Sequence, residues 1–459
     1  MVIEQIYTGC LFQGAYYIES KGEVAIVDPL REPDTYIEKA KKNNSNIKYI
    51  FETHIHADFV SGHLSLSKLT GAPIIFGPNA SLNFDCIIAK DYQEFKLGDI
   101  ILQLIHTPGH TLESSTLLLK DVNGNKIAIF TGDTLFLGDV GRPDLAQKSK
   151  VLNQNELAGM LYDSLREKIM PLPDELIVYP AHGAGSACGK KMMKETFDTL
   201  GNQKKINYAL RKDMTKGEFI NEVLSGLDKP PEYFAMNVKL NQEGYDDLSA
   251  ILEKSLQEID YSDFEQIANA SKSIILDVRN ENDYVLGHIP KSIFIGINGS
   301  FAPWVGALIK DVKQSILLVT PLGKEKETIT RLSRVGFDNV LGYLKGGFEE
   351  WKSNNKSFDS IKSLSAKFLF DEKINPLFFD VRNIFEHEDQ HLDNSINTPL
   401  NSLNDYIEVF PNKNLFYIYC AGGYRSVIAI SILKRKGIHN AINIKGGYPA
   451  LKNSGFSSN

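Results

Sequence analysis

The chain has 459 residues, room for about three domains at roughly 150 residues each. Hydrophobic residues make up 42% and charged residues 23%, a globular composition that excludes a disordered or collagen-like chain. Fifty Lys and Arg against 57 Asp and Glu leave a net charge of −7 without a long basic run, so no nucleic-acid partner is expected. No apolar stretch is long enough for a bilayer and residues 1–10 lack a signal pattern, which predicts a cytoplasmic protein with no membrane partner and reduced thiols.

In chain order, residues 15–20 and 23–28 flank Lys21-Gly22 and predict a hairpin. A helix is expected over 34–42 and a buried strand over 47–52, which ends in Thr53-His-Ile-His-Ala-Asp-Phe59. The apolar run 101–105 ends in Thr107-Pro-Gly-His110. A second hairpin, 117–120 with 126–130 about Asn123-Gly-Asn, ends in Thr131-Gly-Asp133. Leu176-Ile-Val178 ends in Tyr179-Pro-Ala-His-Gly183. Four strand ends therefore each present an imidazole or a carboxylate, and such loops can converge on one pole of a sheet to bind a metal. Hairpins mixed with helices predict a layered α/β domain over 1–250, with 190–250 mostly helical and interrupted at Pro230-Pro231.

The remainder repeats itself at about 100 residues. Ile275-Leu-Asp-Val-Arg-Asn280 recurs as Phe378-Phe-Asp-Val-Arg-Asn383, and Lys345-Gly-Gly-Phe348 as Lys445-Gly-Gly-Tyr448. That period is too long for a solenoid and predicts two copies of one doubly wound α/β domain, near 255–355 and 362–459. In the second copy the buried strand 415–419 runs into Cys420-Ala-Gly-Gly-Tyr-Arg425 and then an apolar helix over 426–433. A cysteine between a strand and a helix N-terminus favours the thiolate. Gly422 and Gly423 let loop amides turn inward as an anion cradle, and Arg425 is expected to add positive charge. The first copy has Thr320-Pro-Leu-Gly-Lys-Glu325 instead. A threonine hydroxyl cannot form a persulfide, so this copy reads as catalytically silent.

The T-H-x-H-x-D, P-G-H-T, T-G-D and P-A-H-G motifs resemble the metallo-β-lactamase fold superfamily, which implies an αββα sandwich. Most hydrolases of that superfamily, such as glyoxalase II enzymes, carry a second His directly after the first motif's Asp. Here Phe59 stands there, and a phenyl ring has no lone pair for a second metal. Persulfide dioxygenases, a branch of the superfamily, are similar through H-x-H-A-D-F, P-G-H-T, T-G-D-T-L-F and G-R-P-D. That resemblance implies one Fe(II) per chain held by His54, His110 and Asp133, a two-His, one-carboxylate set with open positions. His56, Asp58 and His182 would then be groups that orient the ligands. Arg142 is expected either to meet an anionic substrate group or to pair with Asp144, and Tyr179 to contact substrate. Cys188, in a loop of small residues, reads either as a thiol that holds a persulfide near the metal or as an inert buried one; Cys10 and Cys86 read as packing residues.

The D-V-R and K-G-G motifs and the short Cys420–Arg425 loop resemble rhodanese sulfurtransferases, whose loop is shorter than that of cysteine phosphatases. Together the resemblances imply a bifunctional enzyme of sulfide and persulfide detoxification. A low-molecular-weight thiol persulfide and O2 would give sulfite and thiol. Cys420 would transfer sulfane sulfur, forming thiosulfate or exchanging with a thiol. A homo-oligomer is expected. Two alternatives stand beside this reading: a zinc-dependent thioester hydrolase of the glyoxalase II type with accessory rhodanese domains, and a non-enzymatic sulfur carrier or sensor.

Overall fold

A computed structural model describes residues 1–145, 153–227, 229–373 and 376–458. They form two compact units, Met1–Ser249 with Ser333–Gly336, and Ala250–Leu332 with Phe337–Asn459. Among the described residues no helix is long and apolar enough to cross a membrane.

The first unit holds two six-stranded sheets. One runs in chain order: β1 (Val2–Thr8), β2 (Gln13–Ser20), β3 (Glu23–Val27), β4 (Asn46–Phe51), β5 (Ile74–Phe76) and β6 (Ile87–Ile88). The other also runs in chain order: β7 (Glu94–Leu97), β8 (Ile100–His106), β9 (Ser115–Asp121), β10 (Lys126–Gly132), β11 (Ile177–Pro180) and β12 (Asp198–Thr199). The two expected hairpins are β2 with β3 and β9 with β10, both antiparallel.

Alternation along the strands builds the layers. In β2, Tyr16 and Ile18 join Leu117, Leu119, Ala128 and Phe130 in a core between the sheets. Their neighbours Ala15 and Tyr17 point the other way, onto Tyr36, Ala40 and Leu66 of the helices Pro33–Lys42 and His63–Thr70. Leu118 and Ile129 face outward in the second sheet, onto Ala158 and Leu161 of the helix Gln154–Ser164. Period-two side chains apolar on both faces require a cover on each, and the result is an αββα sandwich. Each fully buried large apolar side chain contributes about 1.5–3 kcal/mol.

One expected helical stretch differs. Residues 187–197 are irregular, and helices begin only at Leu200–Ile206, followed by Lys216–Leu224, Phe234–Glu243 and Leu248–Ser255. The Asp139 carboxylate accepts from the Lys190 amide at 2.5 Å and the Lys191 amide at 2.7 Å, which draws those N–H groups away from helical partners.

The second unit holds two five-stranded parallel sheets of one design. The first has β13 (Glu258–Ile259), β14 (Ile274–Asp277), β15 (Ile293–Phe294), β16 (Ile316–Val319) and β17 (Val340–Leu344), ordered β13-β17-β16-β14-β15. The second has β18 (Ser363–Ser365), β19 (Phe378–Asp380), β20 (Ile396–Asn397), β21 (Phe416–Tyr419) and β22 (Ala441–Lys445), ordered β18-β22-β21-β19-β20. The central strands are buried along their whole length, as parallel strands under helices on both faces must be. Strand order reverses between β16 and β14 and between β21 and β19, where a crevice opens at the carboxyl ends. Thr320 and Cys420 follow the strands at those two places.

Candidate functional sites

The loops after β4, β8, β10 and β11 meet at one end of the sandwich. His54 Nε2 lies 3.8 Å and His110 Nε2 3.4 Å from Asp133 Oδ2, with all three residues buried. The outer nitrogens are spoken for. Thr53 Oγ1 donates to Asp28 Oδ2 at 2.9 Å, so at 3.0 Å from His54 Nδ1 it can only accept. His110 Nδ1 donates to the Arg142 carbonyl at 2.8 Å. Each hydrogen bond fixes the tautomer that leaves the Nε2 lone pair facing Asp133. Burial, reinforced by His56, His110 and His182, holds His54 well below the usual imidazole range and so keeps it a neutral ligand. Both Asp133 oxygens are buried with no hydrogen-bond donor among the described residues. Such a carboxylate is costly unless a cation answers it, and the donor set fits a metal ion.

A second group faces the other oxygen of the same carboxylate. His182 Nε2 lies 3.6 Å from Asp133 Oδ1 and 3.5 Å from Asp58 Oδ2. His56, Asp58 and His182 form one cluster of potential donors, and Asp133, His182 and Cys188 another. Thr53 and the Arg142 carbonyl do the orienting expected of Asp58 and His182, whose polar atoms are buried with no hydrogen-bond partner among the described residues. His56 Nε2 sits between Asp28 Oδ1 at 3.1 Å and Glu52 Oε2 at 3.2 Å. Burial opposes its charge, but those carboxylates outweigh it and hold the imidazole well above its usual range. Phe59 is 0% exposed, with its ring 4.3 Å from that of His56.

The remaining sequence candidates divide. The Arg142 guanidinium grips Asp144 through Nε at 2.6 Å and Nη2 at 2.7 Å, so of its two readings the structure has the salt bridge. Tyr179 stacks on Phe130 at 5.2 Å and packs against Tyr16 and Phe197. Cys188 is buried beside Asp133 and His182, where burial, then Asp58 and Asp133, push its thiol well up. Sequence reasoning missed Asn241, whose Nδ2 holds the His56 and Phe59 carbonyls at 2.8 Å each. It also missed Tyr233, a buried phenol raised by burial and then by Asp58 and Cys188. The signal was a run of helical positions past Pro230-Pro231 that carries buried Asn237 and Asn241 one turn apart.

In the last domain, the Gly423 amide donates to Cys420 Sγ at 3.0 Å. Ser426 Oγ, 3.7 Å from that sulfur, also bonds the Gly423 carbonyl and Asn443. Gly422 is exposed at the loop surface. Gly447 of the K-G-G motif passes beneath: at φ +60°, a Cβ there would lie 2.1 Å from the Cys420 carbonyl. Arg425 does not stand as an unopposed positive charge, because Glu386 takes both its terminal nitrogens at 2.6 and 2.7 Å. Burial raises the Glu386 carboxyl, but Arg425 outweighs it and the net direction is downward. The D-V-R motif is a structural latch: Asp380 clasps Arg382, which reaches the Gln390 carbonyl, and Asp277 clasps Arg279, which reaches Gly287. In the silent copy Glu325 Oε1 accepts from Thr320 Oγ1 and the Gly323 amide, both at 3.1 Å. A cleft of about 330 Å³ opens there, lined by residues that include Arg279, Thr320, Gly347 and Lys352.

A sandwich with a buried His and Asp cluster at its strand ends is the framework of a metal-dependent enzyme, and the last of the parallel domains that follow it in the chain carries a thiol loop. The Metallo-beta-lactamase superfamily matches residues 8–83, and the Rhodanese-like domain matches 260–354 and 365–454. A probable hydroxyacylglutathione hydrolase of Schizosaccharomyces pombe is 31% identical over 42% of this chain and 72% of its own length. The persulfide dioxygenase ETHE1 of Homo sapiens is 31% identical over 35% of this chain and 59% of its own length. A solved metallo-beta-lactamase of Staphylococcus aureus superposes with a TM-score of 0.65 at 29% identity, covering 75% of this chain and 98% of its own. This chain belongs to the metallo-beta-lactamase superfamily and joins two rhodanese-like domains to that fold.

Proposed function

We propose that the first unit is an iron-dependent persulfide dioxygenase and the last domain a sulfurtransferase that works on its product. One observation carries the reading: two imidazoles with fixed tautomers face one carboxylate oxygen, in a chain that also carries a cysteine held in an amide cradle. His54, His110 and Asp133 would hold one Fe(II), which supplies the electron chemistry that O2 requires. The balance is persulfide, O2 and water to thiol, sulfite and two protons. Thr53 and the Arg142 carbonyl keep the ligands aimed, and Phe59 keeps water and a further donor from the His56 side. Cys188 lies where a persulfide could be held next to the metal.

At Cys420 the thiolate attacks the outer sulfur of a persulfide; the S–S bond breaks and the thiol leaves as its anion. Sulfite then attacks the Cys420 persulfide, which forms thiosulfate and returns the thiolate. Anaerobically purified protein should contain about one iron per chain and take up O2 with a panel of small-thiol persulfides, yielding sulfite and thiosulfate. No O2 uptake with any persulfide by iron-loaded protein would overturn the proposal.

A second reading has its own support. Asp58 and His182 face Asp133 Oδ1 as a second donor set, and the hydroxyacylglutathione hydrolase relative is as similar as the persulfide dioxygenase. Two zinc ions per chain with thioester hydrolysis would establish it. Under the dioxygenase reading Phe59→His raises metal content above one per chain; under the zinc reading the wild type already holds two.

A further inference from the structure

The helix Tyr424–Arg435, which follows the thiol loop, is buried at every residue from Ser426 to Leu433. A helix covered all round needs a surface beyond its own sheet. The silent copy supplies one at β15, the edge strand of its sheet. The Phe294 amide on that edge donates to Ser431 Oγ at 3.0 Å. Lys434 pairs with Asp359 at 2.8 Å, and Arg435 donates to the Lys291 carbonyl at 2.9 Å.

Tyr424 lies two turns before Ser431 on the same face. Its hydroxyl donates to the Gly296 carbonyl at 3.0 Å, and its ring meets that of Phe294 edge-on at 5.6 Å. The fit leaves no slack: a Cβ on Gly299 would lie 2.7 Å from the Tyr424 hydroxyl, and one on Gly296 3.3 Å from its ring. Tyr424 is the first helical residue after Gly423, whose amide reaches Cys420 Sγ. Holding the ring holds the turn that aims that amide. At the equivalent place in the silent copy stands Lys324, which pairs with Glu327 on its own helix.

We infer that Tyr424, seated in the Gly296–Gly299 segment of the silent copy, is a positioning residue for Cys420. The silent copy is thus the outer wall of the thiol loop and part of what makes that thiol reactive. The inference rests on the reading of Cys420 as the transferase nucleophile.

The test uses the full chain and follows alkylation of Cys420 by iodoacetamide against pH, resolved by peptide mass spectrometry. Gly299→Val crowds the ring, and Tyr424→Phe removes only its hydrogen bond. The expected result is a neutral-pH rate about tenfold lower for Gly299→Val and about threefold lower for Tyr424→Phe, with both profiles displaced to higher pH. General loosening would act oppositely, because Cys420 is buried and exposure speeds alkylation. Unchanged profiles in folded Tyr424→Phe and Gly299→Val, or faster alkylation in either, would overturn the inference. Displaced profiles in a chain that moves no sulfur from thiosulfate to cyanide would uphold the positioning role and remove the transferase reading instead.

Discussion

The two rhodanese-like copies share a strand order and an Asp–Arg latch, yet they treat the central loop in opposite ways. In the last domain an amide faces the Cys420 sulfur, and the neighbouring cation, Arg425, is turned onto Glu386. In the first, Glu325 bends back and fills the same kind of cradle with its own carboxylate, taking the Gly323 amide and the Thr320 hydroxyl. Loss of the thiol is thus only half of the silence. The anion cradle is also satisfied from within, so an incoming anion would meet a negative charge already seated.

The largest effect that could break this contrast is Cys420→Ser. We expect thiosulfate formation to fall by at least about a thousandfold while sulfite accumulates, measured by chromatography of persulfide reactions under O2. Substantial residual thiosulfate would mean that the silent copy transfers sulfur. His110→Ala should match that size at the other site: metal and O2 uptake lost, thiosulfate-to-cyanide transfer kept, because its imidazole contacts Asp133 and the Arg142 carbonyl, both in the first unit. A folded variant that loses both activities would refute the division of labour.

A smaller effect sharpens the contrast. Thr320→Cys alone should leave an unreactive thiol, because Glu325 still occupies the cradle; with Glu325→Arg added, alkylation of that thiol should rise by about tenfold. If the single change already yields a reactive thiol, the internal carboxylate is not what silences the loop. The smallest effect concerns Glu386→Gln. The Glu386 carboxyl is depressed in the folded state, so its contribution is present above the unfolded carboxyl range and is lost as pH falls through the lower folded value. Wild type should therefore melt a few degrees above the variant near neutral pH, and the gap should close in acid. A gap that persists in acid would show that the pair stabilises by packing.

The strand ends that carry His54, His110 and Asp133 were legible because each motif follows an apolar run and begins a tight turn. The doubly wound repeat was legible from motifs that recur at about 100 residues and from short apolar runs alternating with helical patterns. What escaped is nonlocal or comes from the backbone. The group that orients His110 is a carbonyl, and any residue at 142 would offer one. The partner of Arg425 lies on another helix, 39 positions earlier, with no pattern to link them. Residues 190–196 are rich in helix formers, but Asp139 captures two of their amides, and tertiary contact overrides propensity. The apolar helix over 426–433 was legible, but its burial on every side, Ser426 and Ser431 included, was not, because the second covering surface lies in a distant part of the chain.

Gly447 closes the floor beneath Cys420, leaving no space there even for a methyl group, while Ala421 and Gly422 face solvent. Under the proposed transferase reading, donor and acceptor would both reach Cys420 from that exposed side. Sharing one approach, they would take turns, the spent carrier leaving before the next molecule arrives. Double-reciprocal plots at varied donor and acceptor should accordingly run parallel, the mark of a ping-pong exchange.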